Sequence, residues 1–231
     1  MQATEDHEPT ADAAPPVLQN FHPSVAAAVR HFPAMTDSVF DHKRTMRGEA
    51  RERRRRAAAA AAAAAGERLA DNYFKAAPRF ANRSPTATVS GYWPMPEEMD
   101  VRPLLARLDA AGHPIALPAV VGKGKPLIFR HWQPGSPLAE AGFGLHQPDA
   151  DAPEVVPEIL LVPLLAFDPF GYRLGWGGGF YDRTLAALRK ARPVIAVGVA
   201  YAAQRVERVP RTERDQPLDW VVTDEGYEEI R

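Results

Sequence analysis

Cysteine is absent from the 231 residues, which removes disulfides, thiolate nucleophiles and sulfur-ligated metal sites from consideration. A charge imbalance is lacking too: 28 Lys and Arg stand against 29 Asp and Glu, for a formal net charge of −1. No general field therefore draws the chain to nucleic acid or to a membrane surface. No apolar run approaches the roughly 20 residues of a membrane-spanning helix. Residues 1–16 hold Glu5, Asp6, Glu8 and Asp12 but no Lys or Arg, the reverse of a secretory or mitochondrial leader. The expectation is a cytoplasmic, monomeric protein with neither membrane nor nucleic acid as partner. The hydrophobic and charged fractions, 45% and 25%, are ordinary for a globular chain able to bury a sizeable core.

Residues 1–34 are rich in Ala, Pro and acids without periodicity, and read as a disordered, dispensable tail ahead of one domain over 35–231. From Asp37 to Ala77 helix formers dominate, predicting one long helix or two broken near Gly66. Within it, Arg51–Arg56 carries five arginines and one glutamate. With no aromatic residue interleaved for base stacking, the run reads as a solvated helix face, and Arg54 and Arg55 are expected to matter little. Beyond Pro85 strands and helices alternate. Strands are expected at Thr86–Tyr92, Pro114–Pro118, Ile128–Trp132, Ile159–Leu165, Val194–Ala200 and Trp220–Thr223, with helices at Val101–Ala111 and Tyr181–Arg192. The continuous apolar runs ILLVPLL and VIAVGVA suit strands buried on both faces of a parallel sheet, so the fold class is α/β.

The densest chemistry lies in Ala166–Arg183, AFDPFGYRLGWGGGFYDR. Gly171, Gly175, Gly177, Gly178 and Gly179 fall between a buried strand and a helix start. There, backbone amides and the helix dipole can converge on a phosphate. The loop is neither a Walker sequence nor a dinucleotide fingerprint, and glycines alone could serve only a tight turn. Arg173 could neutralise phosphate oxygens, and Asp182 could hold Mg2+, a hard cation that prefers oxygen ligands. Trp176, Phe180 and Tyr181 offer flat surface to a ring system. Asp168 is expected to cap a turn through its own backbone. His113, His131 and His146 lack metal-ligand spacing, and Trp132 and Trp220 read as packing residues.

These residues resemble the VP..AFD..G.RLG.G.G.YDR motif of 5-formyltetrahydrofolate cyclo-ligases. Lys43-Arg44-Thr45-Met46-Arg47 is similar to that family's KxxLR helix, Tyr92 to Glu98 to its Y.(x)MP.E segment, and Gly142 to Leu145 to its FGI.EP segment. Gln204, Val209, Pro210 and Asp215 are similar to its Q...LP...D pattern. Gln147 and Arg214 depart from the glutamate and histidine usual there. The resemblance implies a Rossmann-like, mainly parallel sheet flanked by helices, with a long N-terminal helix. It also implies an activity: ATP-dependent closure of 5-formyltetrahydrofolate to 5,10-methenyltetrahydrofolate through an N5-iminium phosphate. Lys43 and Arg47 would then bind ATP phosphates, with Lys43 and Arg173 catalytic. Arg173, Leu174, Gly175, Trp176, Gly177, Gly178, Gly179, Phe180 and Tyr181 would form the ATP loop, of which Trp176 to Phe180 also touch folate. Trp93 and Glu98 would hold the pterin, while Asp182 and Asp215 would serve Mg2+. The competing readings are an ATP-using relative with another substrate, such as one in thiamine salvage or metabolite repair, and a nucleic-acid binder acting through Arg51–Arg56.

Overall fold

The structure, a computed structural model, describes residues 35–61, 64–80, 86–142 and 144–230. The expectation for residues 1–34 lies outside them. Ala34–Arg231 forms one compact unit. It opens with two helices, α1 (Met35–Ala61) and α2 (Ala65–Phe80). There are two helices, as the expected break near Gly66 implies: α2 begins at Ala65, and Gly66 is its second residue, where a Cβ would come 2.7 Å from the Asp100 carbonyl oxygen. The residue is small because two segments touch there. On α2, Leu69, Tyr73, Ala76 and Phe80 recur at spacings of four, three and four and are all buried, which is the apolar stripe of a helix laid on a core. The third helix, α3 (Arg102–Ala110), starts with a proline in its first turn and buries Leu104, Leu105 and Leu108. Proline suits that turn because its missing N–H has no helical partner anyway.

The described residues form twelve strands, the first before α3 and the others after it. They are β1 (Val89–Ser90), β2 (Ile115–Ala119), β3 (Ile128–His131), β4 (Leu138–Glu140), β5 (His146–Pro148) and β6 (Glu154–Val155), then β7 (Ile159–Pro163), β8 (Ala166–Phe167), β9 (Arg173–Leu174), β10 (Ile195–Ala200), β11 (Trp220–Thr223) and β12 (Tyr227–Glu229), with helix α4 (Phe180–Ala191) between β9 and β10. Eight form one sheet in the order β12-β11-β10-β7-β1-β2-β3-β6, while β4–β5 and β8–β9 are separate hairpins. The five central strands, β11 through β2, pair in parallel, and the edges are antiparallel. The sheet is thus mainly parallel and flanked by helices, as expected.

Successive residues of β7 serve opposite faces, as the twofold period of a strand requires. Ile159 and Leu161 join the core beneath α2 and α3. Leu160 and Val162 join a second core with Leu185 of α4. This two-sided burial explains the unbroken apolar run. From β1 the chain moves outward to β2, then returns to the other side of β1 as β7. The crevice beyond the carboxyl ends of β1 and β7 is therefore the topological switch point, where open α/β sheets bind ligands. Residues 91–101 leave β1 there, and the loop toward the glycines leaves β7.

Gly171 braces this loop. Its φ is +80°, and a Cβ would sit 2.8 Å from the Leu218 carbonyl oxygen. Gly171→Ala is expected to cost about 2–4 kcal/mol, combining left-handed strain with a backbone clash. Gly48, in the middle of α1 with nothing within 4 Å of a Cβ, should instead gain ~0.5–1 kcal/mol as alanine. Thermal melts of the two variants check the pair; equal shifts would contradict the packing described.

Candidate active site

One face of α1 builds much of the site. Lys43, Arg47, Ala50 and Arg54 follow one another at spacings of four, three and four, so they line one stripe of the helix. Lys43, Ala50 and Arg54 are buried. Ala50 and Met46 pack against Leu165, Ala166, Leu174 and Val209, which seats α1 on the β8–β9 hairpin. The polar members of the stripe then point at the loops from the switch point.

Lys43 Nζ donates to Asp215 Oδ1 at 2.6 Å and Oδ2 at 2.7 Å. Asp215 Oδ2 also accepts from the Thr212 amide and hydroxyl, at 2.6 and 2.9 Å. Burial alone would raise this carboxyl, but the hydrogen bonds from Lys43 and Thr212 outweigh it and hold the group below its ordinary value. Four residues on, Arg47 Nε donates to the Gly175 carbonyl oxygen at 2.9 Å. The Arg47 guanidinium would lie 3.3 Å from a Cβ on Gly177, whose φ is +104°. Gly177 is therefore glycine for both conformation and space. The Arg47 pKa is lowered first by burial and then by the charge of Arg51, the sign of a region richer in cations than in anions.

The glycine loop turns into α4 at Gly179, which takes a left-handed φ of +65° as the residue before the helix. Asp182 stands in the first turn of α4, where the dipole favours a carboxylate. Its Oδ1 accepts from Arg173 Nη2 at 2.7 Å and from the Gln216 amide at 3.1 Å. Arg173 Nη1 donates to the Gln216 carbonyl. Arg173 is 8% exposed, and burial lowers its pKa against the opposing pull of Asp182. Both terminal nitrogens of Arg173 are thus engaged, and the side chain locks the loop to Asp182 and Gln216. Asp168 behaves as expected: Oδ1 accepts from the amides of Phe170 and Tyr172, and Oδ2 from that of Val209.

Glu98 lies on the loop leaving β1 and is 8% exposed. Its Oε2 accepts from the Met95 amide at 3.0 Å, and its Oε1 from Arg54 Nη1 and Trp176 Nε1, both at 3.3 Å. Before it, Glu97 takes a φ of +66°, which turns the loop. The Tyr181 hydroxyl is raised above its usual pKa by burial first and then by the Glu98 charge. The Trp176 indole, through Glu98, thus joins the glycine loop to the β1 loop. Trp93 packs edge-on to Trp132 with centroids 6.0 Å apart, and 6.5 Å from the ring of His146. Leu174 is buried under α1, whereas Trp176, Gly177 and Gly178 are exposed at the mouth and Phe180 is half-buried.

Arg54 corrects the reading of Arg51–Arg56 as a solvated face. It is 2% exposed and stands with its guanidinium carbon 5.1 Å from the Trp176 ring centroid. Arg55 and Arg56 do lie on the exposed side, paired with Glu52. The signal was present: residue 54 stands eleven positions, three helical turns, after Lys43.

Among the described residues, no three His, Cys, Asp or Glu converge on a metal position. Asp182 Oδ2 takes no hydrogen bond from a described residue, whereas both oxygens of Asp215 are held by Lys43 and Thr212. One carboxylate oxygen together with phosphate oxygens is an ordinary donor set for Mg2+, so Asp182 fits that ion. Asp215, expected beside it, is placed to hold Lys43.

The sequence model of the 5-formyltetrahydrofolate cyclo-ligase family matches residues 39–224. The 5-formyltetrahydrofolate cyclo-ligase of Escherichia coli is 40% identical over 144 residues, which span 59% of this chain and 77% of that protein. That of Haemophilus influenzae is 43% identical over 96 residues, 40% of this chain and 51% of the other. Among solved structures, the 5,10-methenyltetrahydrofolate synthetase of Aquifex aeolicus matches with a TM-score of 0.60 at 29% identity, covering 84% of this chain and 93% of its own. The synthetase of Mycoplasma pneumoniae matches with 0.59 over 79% and 98%; at 21% identity it bears on the fold alone.

The Lys43–Asp215 pair gives a pH test. The Asp215 carboxyl titrates below its ordinary value when folded. Its contribution to stability is therefore complete above the unfolded value of about 4 and is lost as pH falls through the folded one. Asp215→Asn should cost about 1–3 kcal/mol at pH 7, because Lys43 stays buried without its partner. The deficit should shrink as pH drops below about 4. Urea melts from pH 3 to 7 read this; a deficit independent of pH would disprove the ionic account.

Proposed function

The chain belongs to the 5-formyltetrahydrofolate cyclo-ligase family, and on that premise we propose that it closes 5-formyltetrahydrofolate to 5,10-methenyltetrahydrofolate with ATP, releasing ADP and phosphate. No helix among the described residues is long and apolar enough to cross a membrane, and we read the enzyme as a cytoplasmic monomer. The observation that carries the nucleotide assignment is Arg47 lying along the glycine loop with Nε on the Gly175 carbonyl, 2.9 Å away. That guanidinium has no carboxylate partner among the described residues, so it is free to receive an anion.

A formamide is a weak electrophile because its nitrogen donates into the carbonyl. In the proposed sequence the formyl oxygen attacks the γ-phosphorus of ATP, and the bond from that phosphorus to ADP breaks. The result is an N5-iminium phosphate. N10 then attacks the formyl carbon, phosphate departs with the former carbonyl oxygen, and N10 loses its proton. Phosphoryl transfer of this kind depends on positioning and charge neutralisation. Lys43 and Arg47 on α1, and Arg173 beneath the loop, supply cations. Glycines 175 and 177–179 let the backbone approach the phosphates, and Leu174 anchors the loop's start. Glu98 would accept N–H donors from the pterin, with Trp93, Trp176 and Phe180 lining the ring. Mg2+ held by Asp182 would offset phosphate charge, while Asp215 keeps Lys43 in place. The burial of Arg54 weighs against a nucleic-acid surface, since a phosphate backbone needs accessible cations.

The decisive experiment is the rise of methenyl absorbance from 5-formyltetrahydrofolate. It should require both ATP and Mg2+, and its absence would reject this function. Lys43→Ala should raise the ATP KM about tenfold or more and the folate KM much less; the reverse order would reject the phosphate role. Asp182→Asn should raise the Mg2+ concentration needed for half-maximal rate several-fold, in addition to a stability loss of about 1–3 kcal/mol from leaving Arg173 buried without its partner. Unchanged Mg2+ dependence would reassign Asp182 to structure.

A further inference from the structure

Arg54 has more hydrogen-bonding capacity than its surroundings use. At 2% exposure it is the least exposed cation among the described residues, yet its one hydrogen bond to a described residue is the long contact from Nη1 to Glu98 Oε1, at 3.3 Å. Its Nε is buried with no partner. A buried guanidinium so placed is costly, because each donor removed from water needs an acceptor. Packing alone gives no reason for it; a leucine or methionine at this position would fill the stripe on α1 without that cost. The group beneath it supplies the reason. Glu98 is itself buried on the loop from β1, and a buried carboxylate needs donors around it to satisfy and orient its oxygens. The Met95 amide holds Oε2, while Arg54 and Trp176 share Oε1. The guanidinium also covers the Trp176 ring at 5.1 Å, fixing the indole that shares this oxygen.

We propose that Arg54 is the positioning residue of the folate subsite: it holds Glu98 as an oriented carboxylate and Trp176 in the plane that lets both meet the pterin. The proposal rests on the function above. The two oxygens of Glu98 then face the adjacent N–H donors of the ring, an arrangement that a neutral side chain in place of Arg54 would release.

The experiment measures KM for 5-formyltetrahydrofolate and for ATP in Arg54→Met, Arg54→Lys, Glu98→Gln and the Arg54→Met/Glu98→Gln pair, with Arg55→Met as the exposed control. Arg54→Met should raise the folate KM about tenfold, the size of one charge-assisted contact, with the ATP KM within about twofold. Glu98→Gln should do the same. The double variant should be no more than about twofold worse than Glu98→Gln alone, because both changes remove one coupled unit. Arg54→Lys, which keeps the charge but loses the fork, should recover part of the loss. Arg55→Met should match the unsubstituted enzyme. Losses that multiply in the double variant, an equal rise in both KM values, or a lowered melting temperature with folate KM unchanged would each overturn the proposal. If Arg54→Met fails to fold, Arg54→Lys decides: a folate KM equal to that of the unsubstituted enzyme overturns it, and a several-fold rise at constant ATP KM supports it. No turnover by the unsubstituted enzyme would sink the assigned function and this inference together, whereas the variant outcomes bear on Arg54 alone.

Discussion

A charge taken out of water needs a partner, and along α1 that requirement decides where the helix sits. Lys43 and Arg54 are both buried, and each meets a carboxylate from elsewhere in the chain, Asp215 and Glu98. These two pairs, about 16 Å apart along the helix axis at 1.5 Å per residue, leave little freedom to slide or roll. Ala50 between them is small enough to let the helix rest on Leu165, Leu174 and Val209. Each charged pair alone contributes modestly, since desolvation offsets most of the attraction. Their value is in register, because a helix displaced by one residue would bury cations without partners.

The same arrangement organises the site from end to end. One helix face carries Lys43 at Asp215, Arg47 at the glycine loop and Arg54 at the Glu98 loop, so a single rigid element sets the distance between the proposed phosphate and pterin ends. The sheet supplies the other half of the frame. Its switch point between β1 and β7 sends two loops out side by side, and Trp176 bridges them by donating to Glu98. Arg173, buried beneath, ties the glycine loop to Asp182 and Gln216. The loop is therefore braced from below by Arg173 and along its length by Arg47, while its exposed glycines remain open to ligand.

Much of this was legible without coordinates. Ile159–Leu165 and Val194–Ala200 declared themselves as two-sided strands because burial on both faces leaves no polar position. Helices α3 and α4 matched their periodicity to within one residue at each end. The two-residue strands β8 and β9, and the hairpin β4–β5, carried no such signal, since so short a strand is defined by its pairing and not by its own pattern. In the site, the glycines and Arg173 stood out by density, while Lys43, Trp93 and Glu98 could be singled out only through family resemblance. Arg54 was hidden among identical neighbours, although its eleven-residue separation from Lys43 placed it on the buried stripe.

The fold class, the glycine-rich loop and the family resemblance could be read from the chain alone, because they depend on local periodicity and on residues close together in the sequence. Which charges are paired became visible only once the chain was folded. Lys43 and Asp215 are separated by 172 positions, and Arg54 and Glu98 by 44. No local pattern records such a separation. The strength of a charge pair depends on burial and distance, and both come into being only when α1 closes onto the loops at the end of the sheet.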